Sequence, residues 1–70
     1  MSEFDFHGCL IDQALHKAEG ILFKIRNMNK EEWYKFITGE GPMKRALIKW
    51  CEKHELEFNE KLGLITVYLE

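Results

Sequence analysis

The spacing between apolar residues changes several times along this chain of 70 residues. At Phe4–His7 apolar and polar residues alternate, which is the period of a strand. From Ile11 to about Arg26 apolar residues recur every three or four positions, which is the period of an amphipathic helix. The strand-like pattern returns at Trp33–Ile37, the helical one at Met43–His54, and two strand-like segments follow at Leu56–Phe58 and Leu64–Leu69. The pattern therefore predicts the element order βαβαββ.

This order restricts the architecture to very few solutions. The first two strands are joined through a helix, so we expect them to be parallel, with a right-handed crossover. The last two strands are separated by Glu60–Gly63, which is short enough for an antiparallel hairpin. Pro42 fits the first position of the second helix, where its missing N–H costs nothing. We predict a single α/β domain over residues 1–70: a two-layer sandwich of one four-stranded mixed sheet with both helices on one face.

The composition is that of a folded domain with no large excess of positive or negative charge for binding a partner. Hydrophobic residues make up 46% of the chain and charged residues 31%, with a net charge of −2. Strong non-specific binding to DNA depends on neutralising phosphates, so this charge argues against it. Binding to any polyanion would have to come from local geometry.

Targeting signals are not visible in the sequence. The acidic start, Met1–Asp5, lacks the positive region and apolar run of a signal peptide. No apolar stretch approaches the roughly 18 residues that span a bilayer. We therefore expect a cytoplasmic protein, a monomer with reduced thiols and no contact with membranes.

The topology brings two polar segments to the same edge of the predicted sheet. In open α/β sheets, ligands bind outside the carboxyl ends of the parallel strands. Strand one ends at Asp5 and His7, and strand two ends at Thr38–Gly41. If the two strands are neighbours, the acid and the imidazole lie beside a glycine-rich turn that begins a helix. This edge is the predicted functional site.

The glycine-rich turn is a candidate phosphate site. Gly39 and Gly41 allow close backbone approach, and the first N–H groups of the following helix point outward without partners. Thr38 adds a hydroxyl, and Lys44 and Arg45 lie where they would neutralise flanking phosphates. The alternative interpretation is a plain tight turn. It is supported by Glu40, because a carboxylate in the turn would repel an anion.

His7 is the strongest candidate for acid–base chemistry, since histidine exchanges protons near neutral pH. Asp5 could orient an attacking water, hold a cation or steady the imidazole. Residues two apart on one strand face lie about 6–7 Å from each other, too far for a direct bond to be assured. The alternative is a histidine that is merely hydrogen-bonded at the end of a strand.

The other histidines and the cysteines have structural interpretations. We expect His16 to be solvated and His54 to cap the end of the second helix. A zinc site built from His7-x-Cys9 and Cys51-x-x-His54 is the alternative, but Cys51 falls on the core face of its helix. We therefore predict no metal ligands. Most aromatic residues are needed for the core, which leaves one or two for base stacking.

Three motifs resemble those of one known family. Phe4–Gly8 followed by Ala14-Leu15 resembles LDLHG…EAL, the opening motif of the small MutS-related (Smr) domain family. Phe36–Gly41 resembles the family's second motif, TGxG or HGxG at the end of a strand, and Gly63–Leu69 resembles its closing strand, GVTVVEL. Asp5 and His7 match the Asp-x-His pair, while Thr38, Gly39 and Gly41 match the second motif.

The resemblance implies both a fold and an activity. The fold is an α/β sandwich similar to the C-terminal domain of bacterial translation initiation factor three. The activity is nucleic-acid binding and, in several members, endonuclease cleavage of structured DNA or RNA, including messenger RNA on stalled ribosomes, stimulated by a divalent metal ion such as Mg²⁺ or Mn²⁺. Leu10 stands where the family often has a helix-capping Thr, and Glu40 stands where it often has a basic or small residue.

The leading hypothesis is an Smr-type domain that binds DNA or RNA at the edge formed by Asp5, His7 and the turn, and that hydrolyses a phosphodiester. In this hypothesis His7 is the general base or acid, and Asp5 positions water or a divalent ion. The alternatives are a non-catalytic module that binds RNA or the ribosome, and a protein-interaction domain.

Overall fold

The computed structural model describes residues 2–70, and its elements follow the predicted order. Three elements of secondary structure precede the turn at Gly39 and three follow it. The elements are β1 (Glu3–Asp5), α1 (Ile11–Met28), β2 (Glu32–Ile37), α2 (Pro42–Lys53), β3 (Phe58–Lys61) and β4 (Leu64–Leu69). The predicted α/β fold, with a four-stranded mixed sheet and two helices, is confirmed.

The sheet has the strand order β1-β2-β4-β3. β1 and β2 are parallel neighbours, with Asp5 level with Ile37, whereas β4 runs antiparallel to both β2 and β3. Since β1 and β2 are adjacent and parallel, their carboxyl ends lie at one edge of the sheet. The expectation that Asp5 and the turn after Ile37 share an edge is therefore confirmed.

One face of the sheet is buried under the two helices. Phe36 on β2 and Ile65 on β4 are level with each other and fully buried. From α1 and α2, residues spaced three or four apart pack against this face and against one another. The buried apolar side chains on the helices are Ala14, Ala18, Leu22, Ile25, Met43, Leu47, Trp50 and Cys51.

The opposite face of the sheet, which we name the open face, is not covered by either helix. Side chains alternate across a strand, so residues that pair across β2 and β4 share a face. The pairs on this face are Trp33 with Tyr68, Lys35 with Thr66, and Ile37 with Leu64. None of these six residues is buried. Asp5 is level with Ile37 and therefore also lies on the open face.

Helix α1 and strand β1 differ slightly from the prediction. α1 continues two residues beyond Arg26 and ends where Asn29 adopts a left-handed conformation, with φ of 52°. β1 ends at Asp5, although the N–H of Phe6 still donates to the carbonyl of Ile37 at 2.8 Å. His7 therefore lies just beyond the strand, where the chain turns away from the sheet.

Strand β3 is displaced from its predicted position, because Leu56–Phe58 is mostly a connection and the strand is Phe58–Lys61. Leu56 is buried beside the end of α2, and its N–H donates to the carbonyl of Cys51 at 2.9 Å. Residues 59–61 are exposed on an edge strand, so they carry no apolar alternation that would reveal them. Gly63, with φ of 75°, completes a two-residue turn to β4. Over residues 2–70, no helix has the length and apolarity needed to cross a membrane.

Candidate functional site

Asp5 and His7 lie at the exposed edge where β1 ends. Their side chains retain 55% and 64% of their accessible surface, so both are open to a ligand in solvent. The intervening Phe6 is fully buried and anchors the segment in the core. Its ring packs edge-on against Phe36, with centroids 4.9 Å apart. The strand alternation thus holds the acid and the imidazole outside while the phenyl ring fixes the backbone between them.

The two side chains form a direct hydrogen bond, which the strand spacing alone did not assure. His7 Nδ1 lies 2.6 Å from Asp5 Oδ1, and the backbone N–H of His7 donates to the same oxygen at 3.0 Å. Because the chain leaves the strand at His7, the side chains can turn towards each other. A carboxylate can only accept, so Nδ1 carries the proton and Nε2 presents its lone pair. Within residues 2–70, Nε2 makes no hydrogen bond.

The dyad also changes the acidity of its carboxyl group. The hydrogen bond from the His7 side chain, followed by the one from its backbone N–H, lowers the pKa of Asp5 below its ordinary value of 3.8. The positive charge of Lys17 lowers it further by a smaller amount. Asp5 is therefore fully ionised at neutral pH and can stabilise a positive charge that develops on the imidazole.

We expect the pKa of Asp5, measured by NMR titration of its carboxyl group, to rise towards 3.8 in a His7→Ala variant. The folded protein holds this pKa below that of the unfolded chain. The stability that Asp5 contributes is thus present above the unfolded pKa and is lost as pH falls through the folded pKa. Glu40 is the internal control, because Gly63 and Lys44 lower its pKa instead. An unchanged Asp5 pKa in the variant would contradict the hydrogen bond.

The turn after β2 lies against the dyad. Gly39 has φ of 68°, and a Cβ built on it would lie 3.7 Å from the Cβ of His7. The N–H groups of Thr38 and Gly39 both donate to the carbonyl of Gly63, at 3.0 and 2.9 Å. The Thr38 hydroxyl is buried and donates to the carbonyl of Gly39 at 2.8 Å. These groups position the turn, and their hydrogen bonds within the protein argue against direct phosphate contacts by Thr38 and Gly39.

Lys44 is likewise engaged inside the protein and is not a surface cation. It is 5% exposed, and its Nζ donates to Glu40 Oε2 at 2.9 Å and to the carbonyl of Lys61 at 2.6 Å. Glu60 lies 3.4 Å from the same ammonium. Two carboxylates and a carbonyl thus already surround the charge of Lys44, which argues against its predicted role in neutralising a phosphate.

Glu40 does not act as a free negative charge in the turn. Besides the bond from Lys44, it accepts a hydrogen bond from the backbone N–H of Gly63. These two donors lower the pKa of Glu40, so the carboxylate stays ionised and partnered. The predicted repulsion of an anion is thereby weakened. Glu40 and Lys44 instead tie the turn to the β3–β4 hairpin.

The start of α2 has no side-chain cap. Gly41 is the N-cap, with φ of 117°. Among residues 2–70 nothing accepts from the backbone N–H of Gly41, Met43 or Lys44. The Arg45 side chain is exposed one turn into the helix, and it forms no ion pair with any of residues 2–70. Backbone donors and one guanidinium are thus the groups that could meet an anion here.

Two residues at this edge were not identified from the sequence. Lys17 reaches over the Phe6 ring, with Nζ 5.9 Å from its centroid, and lies close enough to Asp5 to lower its pKa. The sequence could have indicated Lys17 through its position next to Ala18, at the border of the apolar stripe of α1. Gly63 holds the turn through its carbonyl and N–H, and only the folded hairpin brings it there.

The cysteines and histidines considered as zinc ligands do not form a common site within residues 2–70. Over residues 2–70 no three His, Cys, Asp or Glu side chains come together as a metal site. Burial raises the pKa of the Cys51 thiol to about 12, which keeps it protonated. His54 follows α2 as its C-cap, and its Nε2 lies 2.7 Å from Glu19 Oε1. His16 is exposed.

Three solved structures have the same fold, and each matches nearly the whole length of this chain. The crystal structure of the human small-MutS related domain is 31% identical, with a TM-score of 0.84, and the match covers 97% of this chain and 100% of that one. The solution structure of the SMR domain of NEDD4-binding protein 2 is 29% identical, with a TM-score of 0.81, covering 100% and 86%. The solution structure of the B3BP Smr domain is 29% identical, with a TM-score of 0.81, and the match covers 99% of this chain and 78% of that one. No family sequence model and no curated protein sequence matches the chain.

Proposed function

We propose that this chain, which belongs to the small MutS-related (Smr) domain family, binds nucleic acid at the edge formed by Asp5, His7 and the Thr38–Gly41 turn, and cleaves a phosphodiester there. The carrying observation is the hydrogen bond of 2.6 Å between His7 and Asp5, which leaves Nε2 as a base. A base that is oriented by a carboxylate beside an open helix N-terminus is suited to acid–base chemistry on a phosphate ester.

In the proposed reaction His7 touches the reacting atoms. Nε2 accepts a proton from a water molecule as the water oxygen bonds to phosphorus. The P–O bond to the leaving oxygen breaks, and the imidazolium returns the proton to that oxygen. Asp5 accepts the hydrogen bond of Nδ1–H, at 2.6 Å, and stabilises that imidazolium. The carboxylate therefore acts as a positioning residue, and the histidine carries the proton.

Binding of the phosphate is assigned to the start of α2. The N–H groups of Gly41 and Met43 have no partner among residues 2–70 and lie at the positive end of the helix, and the exposed Arg45 guanidinium adds a full charge. Thr38 and Gly39 support this arrangement by holding the turn against Gly63. Lys17 supplies a second cation near Asp5, with its Nζ over the Phe6 ring.

A divalent metal ion is implied by the family resemblance, but the donor set of the chain does not fit a resident metal centre. Asp5 is the carboxylate of the dyad, and its Oδ1 already accepts two hydrogen bonds from His7. No third ligand among residues 2–70 joins the pair. The proposal therefore routes no step through a metal and relies on the side chains and backbone donors named above.

The phosphate assignment predicts different effects for two arginines. Arg45→Ala should weaken binding of a labelled RNA or DNA stem-loop equally for unrelated sequences, and it should lower the slope of log affinity against log salt by about one. The measurement is fluorescence anisotropy over a range of salt concentrations. The reason is that one phosphate contact, with its released counterion, is lost.

Arg26→Ala is the matched control, since it removes the same charge from the opposite end of the sheet. Arg26 donates from Nε to the carbonyl of Glu70 at 2.7 Å, next to the start of β2. We expect this variant to keep the wild-type salt slope. Equal losses in both variants would indicate only a general charge effect and would contradict the assignment of Arg45.

A further inference from the structure

The open face of the sheet carries two half-buried aromatic rings for which the fold has no evident need. Trp33 and Tyr68 are paired across β2 and β4, and their rings lie edge to face with centroids 5.4 Å apart. Both belong to the face that the helices do not cover, and the core is complete without them. Large aromatic rings are costly to leave in solvent, so such a pair on an uncovered face indicates a binding surface.

The open face is continuous with the edge assigned to phosphate chemistry. Asp5 is level with Ile37 on this same face, and Trp33 lies four residues back along β2. At the rise of a strand this is about 13 Å, a span of a few nucleotides. A strand whose phosphate rests at the dyad would thus have its neighbouring bases over the aromatic pair.

We infer that the Trp33–Tyr68 face stacks the bases of a single-stranded RNA whose backbone continues to the dyad edge. This inference rests on the function proposed above and names the form of its substrate. Base–aromatic stacking does not depend on sequence and needs little net positive charge, in keeping with the chain's net charge of −2. Lys35 lies between the aromatic pair and the dyad, with its Nζ 3.8 Å from Glu3 Oε1. Because both side chains of this pair are exposed, the ammonium can exchange Glu3 for a phosphate of the RNA backbone.

Polar groups beside the aromatic pair favour RNA over DNA. Thr66 on β4 is level with Lys35 on β2 and with Asn59 on β3, so the Thr66 hydroxyl and the Asn59 amide lie on the open face. The Thr66 hydroxyl makes one long hydrogen bond, of 3.5 Å, to the Asn59 carbonyl. Both side chains retain capacity to bond a 2′-hydroxyl, which is the group that distinguishes RNA from DNA.

The direct test is a titration of the protein, labelled with 5-fluorotryptophan, with a short single-stranded RNA, observed by ¹⁹F NMR. The chain has two tryptophans, and Trp50 is buried, with Nε1 donating to Glu19 at 3.0 Å. We expect the Trp33 signal to shift and the Trp50 signal to stay in place. An RNA of equal length made of abasic nucleotides should leave both signals unshifted. A Trp33 signal that does not move with the intact RNA would overturn the inference.

Affinities of substituted proteins provide the second measurement. Trp33→Thr and Tyr68→Thr keep a strand-forming side chain, and each should weaken binding of the single strand about 5- to 100-fold, with no loss for the abasic strand. Unchanged affinity would overturn the stacking surface. Equal affinity for the deoxy strand would overturn the assignment to RNA.

Failure of the inference can be told apart from failure of the proposed function. If wild-type protein binds a stem-loop and responds to Arg45→Ala, while Trp33→Thr has no effect on the single strand, the open face is wrong and the phosphate edge stands. If no nucleic acid binds the wild-type protein, the proposed function itself is wrong, and the inference falls with it.

Discussion

Replacing His7 with alanine is expected to lower the rate of phosphodiester cleavage by about 10²- to 10⁴-fold, which is the usual contribution of a general acid–base group. The variant loses Nε2, the proton acceptor that the bond between Nδ1 and Asp5 orients. Binding should change little, because the phosphate contacts are assigned to the start of α2. The side chain is exposed, so the fold should be retained. Single-turnover cleavage of a labelled stem-loop, followed on gels, measures the effect.

Two further histidine variants separate chemistry from structure. His7→Asn can still donate a hydrogen bond to Asp5 but cannot exchange a proton, so it should be as inactive as the alanine variant. His16→Ala removes an exposed histidine from α1 and should cleave at the wild-type rate. Cleavage by His7→Ala at the same rate as wild type would contradict the role of His7. If His7→Asn retained most of the activity, only its hydrogen bond would matter.

Replacing Phe36 with alanine is expected to destabilise the fold by about 3–5 kcal/mol, since it leaves a cavity where a large side chain was fully buried. The Phe36 ring contacts Phe6, with centroids 4.9 Å apart, and Trp50, at 6.3 Å. Domains are stable by only about 5–15 kcal/mol, and a small one lies near the lower end. The loss is therefore comparable to the whole stability. Urea denaturation followed by circular dichroism measures it.

Phe23→Ala is the matched control for this substitution. Phe23 lies on α1 with 68% of its surface exposed, so removing the same ring there should change the free energy of unfolding by no more than about 0.5 kcal/mol. Similar losses at both positions would contradict the division between the buried and exposed faces. Because Phe36 precedes the turn by two residues, its loss should also disturb the position of Gly39 relative to His7.

The element order and the meeting of Asp5 and His7 with the Thr38–Gly41 turn at one sheet edge were predictable from the sequence. Apolar periodicity identifies α1 and β2, because each buries a regular stripe of side chains. The rule that ligands bind at the carboxyl ends of parallel strands then brings Asp5 and His7 to the turn at Gly39. The parallel neighbours β1 and β2 confirm this step.

The position of strand β3 could not be predicted because most of its residues are exposed on an edge. Phe58–Lys61 has one half-buried residue followed by three exposed ones. The strand is specified by its pairing with β4 and by the turn at Gly63, not by an alternation of its own. Hairpin pairing of this kind imposes no apolar alternation on an exposed edge strand.

The roles of individual side chains within the site were also beyond the sequence. Lys44 follows a glycine-rich turn, as a phosphate-binding lysine would, yet Glu40 and Glu60 enclose its ammonium. Glu60 meets it through the β3–β4 hairpin, which sequence spacing does not reveal. The direct bond between Asp5 and His7 depends on side-chain rotation at the end of a strand, which alternation does not specify.

The central claim is that nucleic acid binds at the edge where the dyad meets the turn. The most direct measurement is a ¹H–¹⁵N NMR titration of the His7→Ala variant, in which cleavage should be absent, with a short RNA stem-loop. We predict saturable, salt-sensitive shifts of the amide signals of Gly39, Gly41 and Met43, with no shift at Arg26 on the opposite end of the sheet. Unmoved signals at the three amides, or shifts confined to other surfaces, would contradict the claim.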